Sequence, residues 1–207
     1  MRTMTTRRAV LKSGLALPAA SLAGPLLAPV AGQAAGSTLA LERFVFDVRF
    51  SESNQVAEHV DRLGVPLAPI ADDLMRLWYD ELDLLWNESP QPLAGVTMTE
   101  AAFVLETLAM DRGMRLVFRG EHGLVEDGQI RHRLAGPAQC LEPFASPQGT
   151  TDWQLALANL TSALPLGRSE PATVEFETPY SGLSMRDVPL VSWVIAPRSA
   201  VTVTLPG

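Results

Sequence analysis

The sequence predicts a single α/β domain with three layers, built on a mainly parallel sheet and ending in a mixed, β-rich C-terminal part. Strand-like and helix-like patterns alternate through residues 43–119, and this alternation favours right-handed βαβ crossovers. Strand character returns in residues 173–177, 190–195 and 200–205, with no helical pattern between them. These two observations define the fold class that we expect.

The first elements form a strand–helix–strand unit. Residues 43–50 are rich in β-forming side chains and predict the first strand. Residues 53–63 carry apolar residues at helical spacing, and Gly64 follows where that helix would end. The apolar run 65–70 contains two prolines, which is typical of a short or edge strand.

An amphipathic helix is predicted next, with Asp72 or Asp73 as its N-terminal cap. Its apolar stripe contains Trp78 and Trp86, whereas Tyr79 falls outside the stripe. The two tryptophans could form a docking surface with Tyr79, but core positions fit their spacing better. We therefore expect this helix to pack on the sheet through its tryptophans.

The middle of the chain predicts another strand–helix–strand unit. Residues 93–97 form a short strand pattern, and Thr97-Met-Thr-Glu100 matches a capping box for a helix through Arg112. Residues 114–119 then predict a further strand. Four strands with three intervening helices in this part of the chain account for the expected parallel sheet.

Residues 120–150 are different in composition, since glycine, proline, charged and polar residues dominate. They predict a loop-rich insertion, with a candidate hairpin turn at Asp127-Gly128. Thr150 or Thr151 can then cap a helix that extends to Leu164.

The N-terminal segment has paired arginines, then an apolar run over residues 15–30, then small residues. The pattern is carried by Thr6, Arg7, Arg8, Leu11 and Lys12. It resembles the twin-arginine family of bacterial export signals. The resemblance implies that residues 1–35 are a cleaved signal and that a twin-arginine translocase carries residues 36–207, already folded, to the periplasm or the cell exterior. An uncleaved anchor is the alternative, but Pro18, Pro25 and Pro29 interrupt the run that a spanning helix needs.

Charge excludes two classes of partner. The chain has 16 Lys and Arg against 23 Asp and Glu, and residues 1–36 hold four of the cations and none of the acids. Removal of the signal would therefore leave a formal net charge of −11. Phosphate backbones and anionic lipid headgroups repel such a surface, so we expect neither to be a partner. No second apolar segment approaches spanning length, so we also expect no stable membrane insertion after cleavage.

Cys140 is the only cysteine, so no disulfide can form within the chain. It could be a nucleophile or a point of cofactor attachment, although a lone cysteine beside Leu141 is more typical of a small buried apolar residue. No nucleotide-binding, Walker or GxSxG motif is present, and the cofactor remains unknown. His59, His122 and His132 lack the spacing of a metal motif, so no metal site is predicted.

The candidate site lies where parallel strands would end, because ligands of open α/β sheets bind beyond the carboxyl ends of the strands. The polar residues placed there are Asp47, Asp72 or Asp73, Thr97 or Thr99, Glu121 and His122. Asp47 and Glu121 could act as acid and base, with His122 titrating near neutral pH. The helix start at Thr97–Glu100 would offer backbone N–H groups to an anion. In the alternative interpretation these residues only cap helices and solvate turns.

Two functions are compatible with this pattern. In the first, the protein is an exported, non-catalytic accessory or small subunit of a periplasmic redox system, with a larger oxidoreductase as its partner. In the second, it is a small exported enzyme or ligand-binding protein that uses the cleft near Asp47, Thr97, Glu121 and His122. The absence of a reaction-specific motif favours the first.

Overall fold

A seven-stranded mixed sheet forms the centre of the computed structural model, which describes residues 38–125, 128–146, 150–165, 167–180 and 188–202. The strands are β1 (Arg43–Asp47), β2 (Leu67–Ile70), β3 (Leu93–Met98), β4 (Met114–Val125), β5 (Gln129–Pro137), β6 (Gly167–Arg168), β7 (Pro171–Pro179), β8 (Leu190–Pro197) and β9 (Val201–Thr202). The helices are α1 (Ser51–Arg62), α2 (Leu74–Leu77), a π-helical turn (Trp78–Leu82), α3 (Asp83–Glu88), α4 (Thr99–Met110), α5 (Ala138–Leu141), a 3₁₀ turn (Glu142–Ala145) and α6 (Trp153–Ser162).

The strand order in the sheet is β2-β1-β3-β8-β4-β5-β7, while β6 and β9 form a separate parallel pair. An α/β fold is thus confirmed, but the expectation of a mainly parallel sheet was wrong. Only the contacts of β1 with β2 and β3 are parallel, and the other four are antiparallel.

The position of β8 explains the difference. Because β8 is antiparallel to both β3 and β4, the strands β1 to β4 all run in one direction, as helical crossovers require. The C-terminal strand β8 lies between β3 and β4 and replaces the parallel contact that these two would have made. The remaining antiparallel contacts come from the β4–β5 hairpin and the return of the chain along β7.

Buried side chains form two hydrophobic clusters. Helices α1 and α6 contribute to one cluster, and α2, α3 and α4 contribute to the other. Neighbouring strand residues divide between the clusters, as Phe44 and Val45 do in β1 and Val194 and Trp193 do in β8. Successive residues of a strand point to opposite faces, so the two clusters lie on opposite faces of the sheet.

Several local predictions are confirmed. Gly64 has a φ of 80° directly after α1, a backbone conformation that glycine adopts without strain. Asp73 caps α2, since its carboxylate accepts a hydrogen bond from the backbone N–H of Met75 at 2.8 Å. Trp78 and Trp86 are buried and meet edge to face, whereas Tyr79 is 66% exposed.

The segment 120–150 differs from its prediction as a loop-rich insertion. Strand β4 continues to Val125, and β5 pairs with it as a long antiparallel hairpin. Gly128 has a φ of 69° at the turn, as expected of a hairpin there, while Asp127 lies outside the described residues. The charged residues of β5 alternate with buried ones, so this polar composition comes from a strand with one open face.

Two predicted helix caps were wrong. Met98 occupies the N-cap position of α4, with no side-chain cap, and the Thr97 hydroxyl donates to the carbonyl oxygen of Met98 rather than capping the helix. Asp152 caps α6, in place of Thr150 or Thr151. In both cases the helix begins one or more residues away from the residue that the motif suggested.

Residues Gly36–Gly207 group into one compact unit. Within the described ranges, no helix combines the length and the apolar character needed to cross a bilayer. The four residues of the predicted export signal, Arg7, Arg8, Leu11 and Lys12, lie outside the described residues.

Candidate functional site

Asp47 ends β1 and is fully buried, but its carboxylate is paired within the same turn. Arg49 donates to it from the backbone N–H at 3.1 Å, from Nε at 2.8 Å and from an Nη2 atom at 2.5 Å. The pairing raises the pKa of the Arg49 guanidinium, chiefly through these hydrogen bonds. The Ser53 hydroxyl accepts from the backbone N–H of Asp47 and donates to the carbonyl oxygen of Val96, which ties the turn to β3. The carboxylate of Asp47 therefore holds the β1–α1 turn.

Thr97 has a packing role that the sequence did not indicate. It is fully buried, and its hydroxyl accepts a hydrogen bond from the indole Nε1–H of Trp193 at 3.1 Å. The Trp193 ring lies over Gly95, where an added Cβ would meet the ring carbon Cζ2 at 2.6 Å. A glycine in β3 thus makes room for the tryptophan that Thr97 anchors.

Glu121 and His122 are neighbours in the interior of β4, not residues beyond its end, so their side chains point to opposite faces of the sheet. The carboxylate of Glu121 accepts from Arg119 Nε at 3.3 Å on the face that is open to solvent. His122 is buried on the other face. Asp47 reaches neither residue, because the two strands β3 and β8 lie between β1 and β4. The predicted acid–base group of Asp47, Glu121 and His122 is not assembled.

His122 instead pairs with His132, which follows it across the β4–β5 hairpin. The two Nδ1 atoms are 2.7 Å apart. His122 Nε2 lies 2.8 Å from the hydroxyl oxygen of Ser192, and His132 Nε2 lies 2.8 Å from that of Thr178. All four side chains are buried, and together they form a hydrogen-bonded chain that crosses the strands β8, β4, β5 and β7. We call this group the histidine chain.

The histidine chain is complete when both rings are neutral. One ring then carries its proton on Nδ1 and donates to the Nδ1 of the other, whose own proton is on Nε2. With the proton on His122 Nδ1, Ser192 donates to His122 and His132 donates to Thr178. With the proton on His132 Nδ1, all three hydrogen bonds run in the opposite direction. Each arrangement satisfies every ring nitrogen, so the geometry allows two tautomeric states of equal hydrogen-bond count.

Aromatic rings enclose the histidine chain. Trp153 of α6 stacks on His122 with ring centroids 5.0 Å apart, and its ring lies 4.6 Å from that of His132. Phe176 of β7 stacks on His132 at 4.5 Å. Burial beneath these rings lowers the pKa of His122 to about 3 and, together with the neighbouring charge of His122, that of His132 to about 2. Both histidines are therefore neutral at physiological pH.

His132 was missed as a site residue, although a signal for it was present. The predicted hairpin turn at Asp127-Gly128 brings the segments around the two histidines together, although a two-residue turn there would set His122 opposite Arg133. The structure instead pairs Val125 with Gln129, and this shift of one residue sets His122 opposite His132. The prediction of a loop over 120–150 placed neither histidine on a strand, so it assigned no cross-strand pairing between them.

The opposite face of β4, β5 and β7 carries exposed charged side chains in ordered rows, and we call it the charged face. Glu121 of β4, Arg133 of β5 and Glu175 of β7 form one cross-strand row, in which charge alternates in sign. Arg133 Nε is 3.3 Å from the carboxylate of Glu175, and in the next row Arg131 is 3.0 Å from Glu177. These ion pairs are exposed, so each adds little stability, but together they give this surface a defined charge pattern.

A cavity of about 390 Å³ lies beside the charged face, at the start of α4. Its walls include Thr99, Glu121 and His122, so the fold brings together three of the predicted site residues. Arg119, Arg131 and Arg133 also line it. Asp47, Asp72, Asp73 and Thr97 are not among the described residues that form its walls.

Cys140 lies on the wall of a larger groove, of about 580 Å³, between α5 and α6. Its thiol is free and half-buried, and burial raises its pKa to about 11. The thiolate is the nucleophilic form, so this cysteine is weakly reactive at neutral pH. Among the described residues, no three His, Cys, Asp or Glu side chains are grouped closely enough to hold a metal ion.

Comparisons of this chain with protein-family models, with curated proteins and with solved structures find no match.

Proposed function

We propose that this protein is exported in the folded state through a twin-arginine signal in residues 1–35 and acts as a non-catalytic accessory subunit of a periplasmic redox system. In this role it binds a larger oxidoreductase through the charged face. We also infer a three-layer domain, because helices α1 and α6 share one hydrophobic cluster while α2, α3 and α4 share the other.

The observation that carries the proposal is the ordered charged face. Arg131 and Arg133 of β5 are each more than half exposed, and each lies opposite a glutamate of β7. Helix α6 packs on the other face of the antiparallel strands. On this face the hydrophobic cluster beneath α4 includes residues of β8 and β4 and, among the described residues, none of β5 or β7. Charged surfaces of this kind orient partners and speed their encounter, which suits an accessory subunit.

The internal pairing of the candidate catalytic groups supports the same role. The carboxylate of Asp47 is held by Arg49, and that of Glu121 by Arg119. The two buried histidines satisfy each other. A general acid or base must come within hydrogen-bonding distance of a substrate. These side chains instead make their hydrogen bonds to other residues of the fold.

Isolation from the native periplasm under mild conditions tests the proposal. We expect the full-length precursor to lose residues 1–35 on export and the product to co-purify with a larger oxidoreductase. The variant R7K/R8K should remain in the cytoplasm. On the exported protein, E175R should reduce co-purification, while E58R, at an exposed glutamate of α1, serves as the matched control. A strictly monomeric, partner-free protein in the periplasm would overturn the accessory role.

A second candidate function is the binding of a small anion in the cavity beside the charged face. It is favoured by the three arginines Arg119, Arg131 and Arg133 on the cavity wall, and by the start of α4 at Thr99, which has no side-chain cap. Inorganic phosphate and succinate are suitable probes in a thermal unfolding assay. Ligand binding would raise the Tm of the wild-type protein and not that of R119M, whereas equal Tm values with and without both probes would count against this function.

A further inference from the structure

Strand β7 is an edge of the seven-stranded sheet. It is nine residues long and pairs with β5 along its whole length. No strand in the described part of the chain pairs with its outer side. The backbone groups on an open edge are available to pair with an added strand.

The register shows which backbone groups face outward. Tyr180 N–H donates to the carbonyl oxygen of Gly128 at 3.1 Å, and Ala138 N–H donates to that of Glu170 at 2.9 Å. These two bonds bracket the β5–β7 ladder, and they identify Gln129–Pro179 and Pro137–Pro171 as pairs without direct backbone hydrogen bonds.

In an antiparallel ladder every second residue pair lacks direct backbone hydrogen bonds, and in β7 these residues are Pro171, Thr173, Glu175, Glu177 and Pro179. The N–H and C=O groups of Thr173, Glu175 and Glu177 therefore point away from β5. The prolines at the two ends have no N–H to offer. The outer edge therefore presents three N–H donors, on Thr173, Glu175 and Glu177, bounded by a proline on each side.

Side chains along this edge alternate in character. Glu175 and Glu177 are exposed on the charged face, whereas Val174 and Phe176 point to the opposite face and are only partly buried there. Phe176 stacks on His132 and on Phe144, and no strand among the described residues lies on its outer side. An added strand would cover the remaining apolar surface of Val174 and Phe176.

The charge rows end on acidic residues at this edge. The row Glu121–Arg133–Glu175 alternates negative, positive and negative, and the next row sets Arg131 against Glu177. A cation on the following strand would continue the alternation in both rows. Opposite charges directly across a strand pair are stabilising, whereas like charges are destabilising.

We propose that the outer edge of β7 binds an extended segment of the partner protein as an additional strand. The segment has basic residues opposite Glu175 and Glu177, alternating with apolar residues opposite Val174 and Phe176. Its backbone pairs with Thr173, Glu175 and Glu177, which is the β-augmentation mode of peptide recognition. A second copy of β7 fits less well, because it would bring glutamates against glutamates. This inference rests on the proposed accessory role, since it identifies the chemistry of the partner.

The test uses the full-length protein and two dye-labelled probes, one capped peptide that alternates arginine with valine and one that alternates glutamate with valine. We expect the arginine peptide to bind at least tenfold more tightly in fluorescence anisotropy. Its affinity should fall as salt concentration rises. Equal binding of the two peptides would overturn the proposed charge recognition.

Substitution of Thr173 separates backbone pairing from general attraction. T173P removes one outward N–H without removing a hydrogen bond to β5, and should weaken binding of the arginine peptide at least tenfold. T173V keeps that N–H and should bind within twofold of the wild type. Equal affinity of T173P and T173V for the peptide would overturn the strand-addition geometry.

Amide hydrogen exchange gives a readout that needs no variant. Saturation with the arginine peptide should slow exchange at Thr173, Glu175 and Glu177 at least tenfold, with little change at Val174 and Phe176, which already pair with β5. Unchanged exchange at the three outward amides would overturn the proposal, as would sedimentation of the free protein as a dimer that protects the same amides.

Failure of the strand-addition proposal remains distinguishable from failure of the accessory role. A protein that co-purifies with its oxidoreductase but binds neither peptide retains the accessory role and loses the β7 interface. A protein that binds the arginine peptide but is partner-free in the periplasm loses the accessory role, and with it the partner assignment.

Discussion

His122 and His132 share one hydrogen bond across the β4–β5 hairpin, with 2.7 Å between their Nδ1 atoms. Each ring reaches a hydroxyl with its other nitrogen, so neither has a second partner to replace the first. A buried polar group that loses its partner costs about 1 to 3 kcal/mol. The stability of this part of the sheet therefore depends on the two histidines together.

We expect H122L and H132L each to lower the free energy of unfolding by about 2 to 4 kcal/mol, because each substitution leaves a buried ring nitrogen without its partner. The double variant H122L/H132L should cost at least about 1 kcal/mol less than the two single losses combined. Urea unfolding at pH 7.5 measures all three. H59L, at a partly exposed histidine of α1, is the matched control and should change stability by less than about 0.5 kcal/mol. Additive losses would contradict the pairing.

Acid should destabilise the protein through the same two residues. Their pKa values in the folded protein are lowered to about 3 and about 2, whereas an unfolded histidine titrates near 6.5. Below pH 6.5 the unfolded state binds two protons that the folded state does not, and this lowers the free energy of unfolding. The free energy of unfolding therefore has its full value above pH 6.5 and decreases as the pH falls towards 3.

Between pH 7.5 and pH 5.5 this difference amounts to roughly 2 to 3 kcal/mol. Urea midpoints at the two pH values measure it, and H122L/H132L is the control, since other titrating groups are common to both proteins. The wild type should lose more stability than the double variant over this range. Parallel losses in the two proteins would show that the histidines titrate normally in the fold.

Gly120 is a packing requirement of the histidine chain. A Cβ at this position would overlap the hydroxyl oxygen of Ser192 and lie 2.7 Å from the Cδ2 atom of Leu134. We expect G120A to lower the free energy of unfolding by about 1 to 3 kcal/mol through this overlap. G123A is a matched control in the same strand, because a Cβ there meets nothing within 4 Å. Equal unfolding midpoints for the two variants would contradict the tight packing around Gly120.

Local patterns predicted the elements around β1 well. Strand composition, helical spacing and the position of Gly64 located β1, α1 and β2, and the helix cap predicted at Asp72 or Asp73 is Asp73. Each of these signals acts within a few residues of the element that it specifies. The insertion of β8 between β3 and β4 has no such local signal, because it depends on contacts between residues about 100 positions apart, such as Trp193 with Thr97.

The candidate site was predicted only in part for the same reason. Glu121 and His122 were selected as polar residues beyond a strand end, and with Thr99 they do line one cavity. Strand β4 continues past them, however, so they point to opposite faces and cannot act on one substrate atom. The partner of His122 lies on the next strand, and the hairpin register was needed to identify it.

The ion pair of Asp47 and Arg49 is asymmetric, and this asymmetry predicts unequal mutational costs. Asp47 is fully buried, while the Arg49 side chain is about half exposed. R49M leaves a buried carboxylate without its guanidinium, whereas in D47N the arginine can turn to water and the asparagine oxygen can still accept from the Arg49 N–H. R49M should lower the free energy of unfolding by about 1 to 3 kcal/mol, and by more than D47N does. Urea unfolding at pH 7 compares the two variants. An equal or larger loss in D47N would contradict the prediction that the buried carboxylate depends on the ion pair more than the exposed arginine does.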